Sequence, residues 1–362
     1  MKQVAIVGTQ GVPANYGGFE TLVENIIGDN CPPDIQYTIF CSSKDLPNGK
    51  QSYKNAQLKY IPLHANGMQS IPYDILSLIQ VIKGYDVILI LGVSGCIFLP
   101  AIRLLSKAKI VVNIDGLEHR RAKWGKFAKK FLKLSESIAT KCADIIIADN
   151  KGIQDYVTET YHKRSEMIAY GGDHVLRNVP QDIQNTILNK YGLVSGNYAV
   201  CICRIEPENN CHITLEAFSK SNKILVFIGN WDKSDYGRKL KSFYGSSFDN
   251  IKILDPNYDL DVLYTLRSHC NFYIHGHSAG GTNPSLVEAM FFGCPIIAFD
   301  VIYNRETTQN KAYYFSDVAE LLKLIQQKDL QGHIMKEIAY KEYTWNNISQ
   351  QYSIVFRSVC LK

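Results

Sequence analysis

The chain has 362 residues, 46% hydrophobic and 20% charged, which excludes a disordered segment and a single small core and fits two domains of ordinary size. A formal net charge of +5 is too mild for a dedicated nucleic-acid binder unless the positive residues cluster. The ten cysteines include no C-x-x-C pair and several sit inside apolar runs such as YAVCIC. They read as reduced core residues, and no metal is expected through Cys201 and Cys203, which share one strand face without visible further ligands.

In chain order, MKQVAIVG passes directly into a strand with no signal-peptide architecture, so a cytoplasmic location is expected. The runs VAIV (4–7), YTIF (37–40), VILIL (87–91), KIVVNI (109–114) and DIIIA (144–148) alternate with helical patterns, which predicts parallel strands joined by crossover helices. The longest apolar stretch, 87–105, contains Gly92, Gly95, Pro100 and Arg103 and reads as a buried strand, a glycine turn and an amphipathic helix rather than a membrane span. Residues 171–182 have the glycine, proline and polar content of a hinge. A second strand series follows at 198–203, 223–229, 250–254, 271–275 and 295–299. The fold class is therefore α/β with two doubly wound units, expected at 1–172 and 173–335. A helical segment at 336–362, with Trp345, Ile348, Tyr352 and Phe356 on one stripe, is expected to brace the two.

In open parallel sheets ligands bind beyond the carboxyl ends of the strands, so chemistry is sought just after them. After the first strand, GTQGVPANYGGFET carries Gly8, Gly11, Gly17 and Gly18, which permit close backbone approach to a ligand, and it is neither a spaced G-x-G-x-x-G nor a Walker loop. KIVVNI ends in DGLEH, where Asp115 and Glu118 can orient an acceptor hydroxyl or contact a transferred sugar; an Asp-Gly turn capping the next helix fits the same residues. Arg120, Arg121, Lys123, Lys126, Lys129, Lys130 and Lys133 then precede any acid, while Trp124, Phe127, Ala128, Phe131 and Leu132 fall at helical spacing. This basic amphipathic helix suits a core-facing stripe with a solvated charged face, and it equally suits an anionic membrane surface or a pyrophosphate-linked acceptor.

In the second unit CRIEPENN places Arg204 at a strand end, free to neutralise a diphosphate or to pair with Glu206 and Glu208. His275 and His277 bracket Gly276 and suit hydrogen bonding to phosphate or sugar better than a metal. HGHSAGGTNPSLVEAMFFGCP reads as a strand end, a glycine-rich turn and a helix capped by Asn283, opened by Pro284 and expected to end at Gly293. Backbone N–H groups of Gly280, Gly281, Thr282 and the first helical turn, including Ser285, form a cradle for a diphosphate, with Glu288 at its edge to accept from ribose hydroxyls. An ordinary capped helix with Glu288 on a wet face fits the local pattern too. Asn304, Arg305 and Glu306 follow the next strand on the same side.

Taken together, GTQGVPANYGGFET, DGLEHRRAKWG, ADNKGIQDY, RIEPENN and HGHSAGGTNPSLVEAM resemble, across essentially the whole chain, the retaining glycosyltransferases with two facing Rossmann-like domains (the GT-B fold, glycosyltransferase family 4 type). More narrowly they are similar to rhamnosyltransferase-type members that build bacterial capsule, O-antigen or exopolysaccharide units. The resemblance implies that Glu288 is the second glutamate of the paired-glutamate motif, the first falling at Gly280, and that Arg204 is the diphosphate-binding arginine. Asn209 stands where a lysine is usual, and Asp115 where many relatives carry histidine. It further implies a donor such as dTDP-rhamnose bound by Gly17, Gly18, Arg204, His277, Gly280, Gly281, Thr282, Asn283, Ser285 and Glu288. Catalysis is then expected at Asp115, Glu118, Arg204 and Glu288, without metal or cofactor. The implied acceptor is a lipid-pyrophosphate-linked saccharide, with residues 120–133 at the inner membrane surface, and no nucleic acid is an expected partner. A nucleotide-sugar epimerase or phosphorylase of the same fold, or a non-catalytic nucleotide-sugar-binding protein, shares this layout.

Overall fold

A computed structural model describes every residue except 15, 16, 30, 47, 48, 115, 118, 120–124 and 362, and only the backbone of Met68. The chain divides into two compact units, Met1–Tyr170 with Trp345–Lys362, and Gly171–Thr344.

The first unit runs β1 (Lys2–Val7), α1 (Gly18–Ile26), β2 (Ile35–Ser42), β3 (Ser52–Tyr53), β4 (Ala56–Ile61), α2 (Ser70–Gln80), β5 (Val87–Leu91), α3 (Leu99–Leu105), β6 (Lys109–Ile114), α4 (Lys126–Cys142), β7 (Ile145–Ala148), α5 (Lys151–Tyr161) and β8 (Glu166–Met167). The sheet order is β3-β4-β2-β1-β5-β6-β7-β8, parallel except for the β3–β4 pair. Every residue of β5 is buried, as a central parallel strand covered on both faces requires. The apolar segment 87–105 thus divides into β5, a 3-10 turn at Cys96–Phe98 and α3, and no helix of the described residues is long and apolar enough to cross a membrane.

The second unit runs α6 (Gln181–Lys190), β9 (Tyr198–Ile202), α7 (Cys211–Ser219), β10 (Ile224–Ile228), α8 (Asp235–Ser247), β11 (Ile251–Leu254), α9 (Leu260–Ser268), β12 (Phe272–His275), α10 (Pro284–Met290), β13 (Ile296–Phe299), α11 (Ile302–Thr307), β14 (Tyr313–Phe315), α12 (Val318–Ile325) and α13 (His333–Glu342). Its sheet is wholly parallel in the order β11-β10-β9-β12-β13-β14.

The segment expected as one brace at 336–362 is divided between the units. Helix α13 packs on α10 of the second unit. The last helix, α14 (Trp345–Val359), lays Trp345, Ile348, Tyr352, Val355 and Phe356 into the core of the first. Each such burial contributes about 1.5–3 kcal/mol, and Asn113 Nδ2 donates to Tyr352 Oη at 2.6 Å, fastening the helix to β6.

Two expected helices differ from their sequence reading. Helix α10 ends at Met290 rather than Gly293, which sits at φ +69° after a closing turn. The stripe of α4 is rotated: Leu132, Ser135, Glu136, Ala139 and Thr140 form its buried face, while Phe127 is 91% exposed. Small and hydrogen-bonded polar side chains let this helix lie close to its neighbours, so the largest apolar residues are not the buried ones.

Candidate functional site

Strand order in the second sheet reverses between β9 and β12, making the loops after these strands the switch-point loops of the unit. They are residues 203–210 and 276–283, and they are knitted to each other. Asn210 Nδ2 donates to Gly276 O at 2.9 Å, and Ser278 donates through both its backbone N and its Oγ to Glu208 O at 2.8 Å. The approach is so close that a Cβ on Gly276 would stand 2.2 Å from Asn209 O, which no side chain tolerates. Asn304, from α11, donates to His277 O at 2.8 Å and to Phe299 O at 2.9 Å, and Asn230 accepts from Ile205 N at 2.7 Å.

Asn209 sits at the centre of this network, 4% exposed. Its Nδ2 donates to Arg204 O at 2.6 Å and its Oδ1 faces His277 Nδ1 at 2.5 Å. An amide whose nitrogen is already donating leaves only its oxygen for the imidazole, so His277 carries a proton on Nδ1. The side chain of Arg204 is exposed, and among the described residues no acid pairs with it. Of the two readings left open for Arg204, the structural pair with Glu206 or Glu208 does not form. His275 is buried with no partner for Nε2, and burial pushes its imidazole down to about 3, so it is neutral at physiological pH.

In the turn that follows, Gly280 takes φ +101°. Asn283 caps α10, its Oδ1 accepting from Ser285 N at 3.0 Å and Ser285 Oγ at 2.9 Å. Gly281 and Ser285 are partly exposed and Thr282 is buried. Glu288 is not on a wet face: its side chain is 16% exposed, with Oε2 accepting from Arg267 Nη2 at 2.5 Å and Oε1 lying 3.6 Å from His174 Nε2. Arg267, in α9, is itself only 4% exposed. The expected hinge supplies His174, because the backbone at Gly172 lies directly on α10; a Cβ there would meet Val287 Cγ1 at 2.9 Å and Glu288 N at 3.1 Å. Arg305, expected beside this site, is instead engaged with Asp300 at 2.5 and 2.7 Å and lies over the Tyr314 ring.

The first sheet reverses between β1 and β5. After β1, Gly17 is the N-cap of α1 and Gly18 its first residue. Glu20 folds back, buried, to accept from Thr9 Oγ1 at 2.9 Å and Gln10 N at 2.8 Å, and Glu24 accepts from Ala14 N at 2.5 Å and Tyr53 Oη at 2.7 Å. Burial pushes Glu24 up, but Tyr53, Ala14 N and Lys54 together outweigh it and hold its carboxyl below the usual range. Beside the end of β5, Asp74 lies against the Gly95 backbone. The residue keeps some surface, yet its carboxyl is enclosed, and burial pushes it up to about 8. Sequence reading missed Asp74, whose only mark is an acid amid the apolar positions of IPYDIL.

Asp115 and Glu118 lie outside the described residues, as do Arg120, Arg121, Lys123 and Trp124. Their neighbour His119 is described: Nδ1 is 3.1 Å from Oε2 of the buried Glu136, whose Oε1 accepts from Tyr156 and Tyr161, each at 2.6 Å. Lys133 joins the same cluster at 3.4 Å from Glu136 Oε1 while its side chain stays partly exposed.

Residues 184–332 match the family described as Glycosyl transferases group 1, and residues 1–173 match a domain of unknown function (DUF1972). No curated protein matches the chain by sequence. Among solved structures it is similar to sucrose-phosphate synthase from Thermosynechococcus elongatus (15% identity, TM-score 0.82, 99% of both chains). It is also similar to Anabaena HepE in complex with UDP (17%, 0.72, 99% of this chain and 100% of that one) and to the catalytic domain of Arabidopsis thaliana starch synthase IV bound to ADP and acarbose (13%, 0.74, 100% and 99%). The architecture is the GT-B fold. With a group 1 domain as its second unit, the protein is a GT-B glycosyltransferase.

Proposed function

We propose that the protein transfers rhamnose from dTDP-rhamnose to a lipid-pyrophosphate-linked saccharide during assembly of a bacterial surface polysaccharide. The observation that carries the donor half is the exposed, unpaired Arg204 beside the knitted turn 276–283, inside the group 1 domain. A cation without a counter-charge among the described residues, in a loop hydrogen-bonded to a glycine-rich turn before a helix, suits a diphosphate. UDP and UDP-glucose complexes of Anabaena HepE, and a UDP complex of S. aureus MnaA, show similar folds holding such donors.

Departure of the nucleoside diphosphate leaves an oxocarbenium-like sugar. Arg204 and the backbone N–H groups of Gly280, Gly281 and Thr282 stabilise the charge that develops on the leaving group. His277, held through Asn209, lies against the same loop, and Glu288 receives a pentose hydroxyl. In the proposed retaining course the acceptor hydroxyl attacks from the face the diphosphate leaves, and the diphosphate takes its proton. Arg204 supplies the positive charge, so the step is written without a metal. Asp115 and Glu118 orient the acceptor, and Gly17 and Gly18 keep their loop able to approach a ligand closely. Exposed Phe127, Lys126 and Lys130 on α4 favour attachment of the 120–133 segment to an anionic membrane surface.

The test is incubation with dTDP-, UDP- and GDP-sugars and polyprenyl-pyrophosphate saccharides, read by mass spectrometry. Rhamnose transfer from the dTDP donor is the expected result. Transfer of another sugar overturns the donor assignment. Nucleotide binding by folded protein without transfer to any acceptor overturns the proposed reaction.

A further inference from the structure

We propose that the outward sides of α3 and α4 form one docking face for an anionic lipid bilayer, entered by Leu104, Leu105, Phe127 and Leu134. The inference rests on the reading of the 120–133 segment as membrane-facing, and it extends that contact to a second helix and to residues outside the segment.

Strands β5, β6 and β7 are consecutive neighbours in the first sheet and all parallel. Right-handed crossovers therefore set α3 and α4 on the same side of it. The two helices pack on each other, and Arg103 Nε of α3 donates to Cys142 O at the end of α4 at 2.7 Å. On their outward sides Leu104 is 87% exposed, Leu105 60%, Phe127 91% and Leu134 54%. A single exposed apolar side chain needs no explanation. Four on two adjoining helices, each more than half exposed, do.

The charges around them select the partner. Along α4, Phe127, Lys130, Leu134 and Lys141 recur at helical spacing and share one stripe, with Lys126 beside it, and all five are exposed. The one acid within α3 and α4 is Glu136, which lies buried on the other side of α4 and accepts from Tyr156 and Tyr161. Asp144, just beyond α4, is held by Arg103 at 2.7 Å. The face is thus cationic as well as apolar. A second copy of the chain would set lysine against lysine. A protein groove would demand a continuous apolar centre, whereas Phe127 and Leu134 stand about 10 Å apart along the helix axis with Lys130 between them. A lipid surface suits this spacing: separate apolar side chains enter between headgroups while each ammonium stays at the level of the phosphates.

The experiment is co-sedimentation of the full chain with vesicles of phosphatidylcholine alone or with roughly one-third phosphatidylglycerol, at low and at high salt. Binding about tenfold or more stronger to the anionic vesicles is expected, weakened by salt through screening but not abolished, because apolar insertion does not depend on charge. Leu104→Gln combined with Leu105→Gln, checked for folding by circular dichroism, is expected to weaken binding about threefold or more at either salt. Unchanged binding by the folded variant overturns the inference while leaving attachment through 120–133 intact. Leu104→Gln alone is read in the same way if the double variant does not fold. Binding no stronger to anionic than to neutral vesicles overturns both. Complete loss of binding at high salt overturns the insertion of the leucines. Self-association in sedimentation velocity that the same substitutions abolish would give the face to a second copy and overturn the proposal.

Discussion

The two units fasten their switch-point loops with different chemistry. In the first, the loop after β1 is held by carboxylates: Glu20 takes Thr9 Oγ1 and Gln10 N, and Glu24 takes Ala14 N and Tyr53 Oη. In the second, the same task falls to the neutral amides of Asn209, Asn210, Asn230 and Asn304. An anionic fastener beside Arg204 would neutralise it and repel a phosphate. The amides of Asn209, Asn210 and Asn304 instead donate to backbone carbonyls, which a carboxylate cannot do, and they bring no negative charge beside Arg204. Asn209, buried and bonded to both Arg204 O and His277 Nδ1, is thus an anchor of the loop.

The sharpest way to break this comparison is to remove the charge it protects. Arg204→Ala is expected to lower kcat/KM for the nucleotide sugar by about 10²–10³-fold, as loss of a transition-state charge contact does, with little change in Tm because the side chain is exposed. A loss of less than fivefold in steady-state kinetics would take Arg204 out of the diphosphate site. Next, Asn209→Asp places a carboxylate in the loop of Arg204, at the cost of the Nδ2 donation to Arg204 O. Nucleoside diphosphate affinity is expected to fall about tenfold, an effect of roughly 1.4 kcal/mol, while affinity for the parent nucleoside holds. Equal losses for the two ligands, measured by calorimetry, would mean that the substitution disturbs the loop and not the charge.

What was legible in the sequence was what local pattern determines. Strands β5 and β6 fall where VILIL and KIVVNI place them, because a short, mostly apolar run rich in valine and isoleucine suits a parallel strand covered on both faces. Asn283 followed by Pro284 marked the start of α10 through a side-chain oxygen and a fixed φ, both local matters. The stripe of α14 was equally plain. The partners of the site residues were not, since each is brought in from a distant element: Arg267 reaches Glu288 from α9, His174 reaches it from the segment before α6, and Asn209 meets His277 across two loops. An arginine in LYTLRSHC reads as a surface residue until its burial is known. Helix α4 was misread because its sequence offers two apolar faces at helical spacing, and the one chosen for the core is lined by Ser135, Glu136 and Thr140.

The first unit supplies the complementary tests. Glu20→Ala leaves Thr9 Oγ1 and Gln10 N without their buried acceptor, and the cost is expected to be about 1–3 kcal/mol by urea denaturation. Nucleoside diphosphate affinity should be unchanged, because the contacts proposed for the diphosphate and the pentose, Arg204, the 276–283 turn and Glu288, lie in the second unit. A nucleotide affinity that falls together with stability would show that the carboxylate-fastened loop also serves the donor.

Asp74 gives the test most specific to pH. Its carboxyl is pushed up to about 8 in the folded chain, while the unfolded chain titrates near the ordinary value of about 3.9. Between those values the folded state holds a proton that the unfolded state has released, so the contribution of this group to stability falls as pH rises through the window and levels off above it. The slope it adds is at most about 1.4 kcal/mol per pH unit. Asp74→Asn removes the titration but keeps the shape, so the variant should lose less stability than the wild type between pH 5 and 8, a window set by these two values. Parallel urea-midpoint curves for the two proteins across that range would mean that the Asp74 carboxyl is ionised in the fold. The acid beside the end of β5 would then carry the same charge as Glu24, whose carboxyl is held below the usual range.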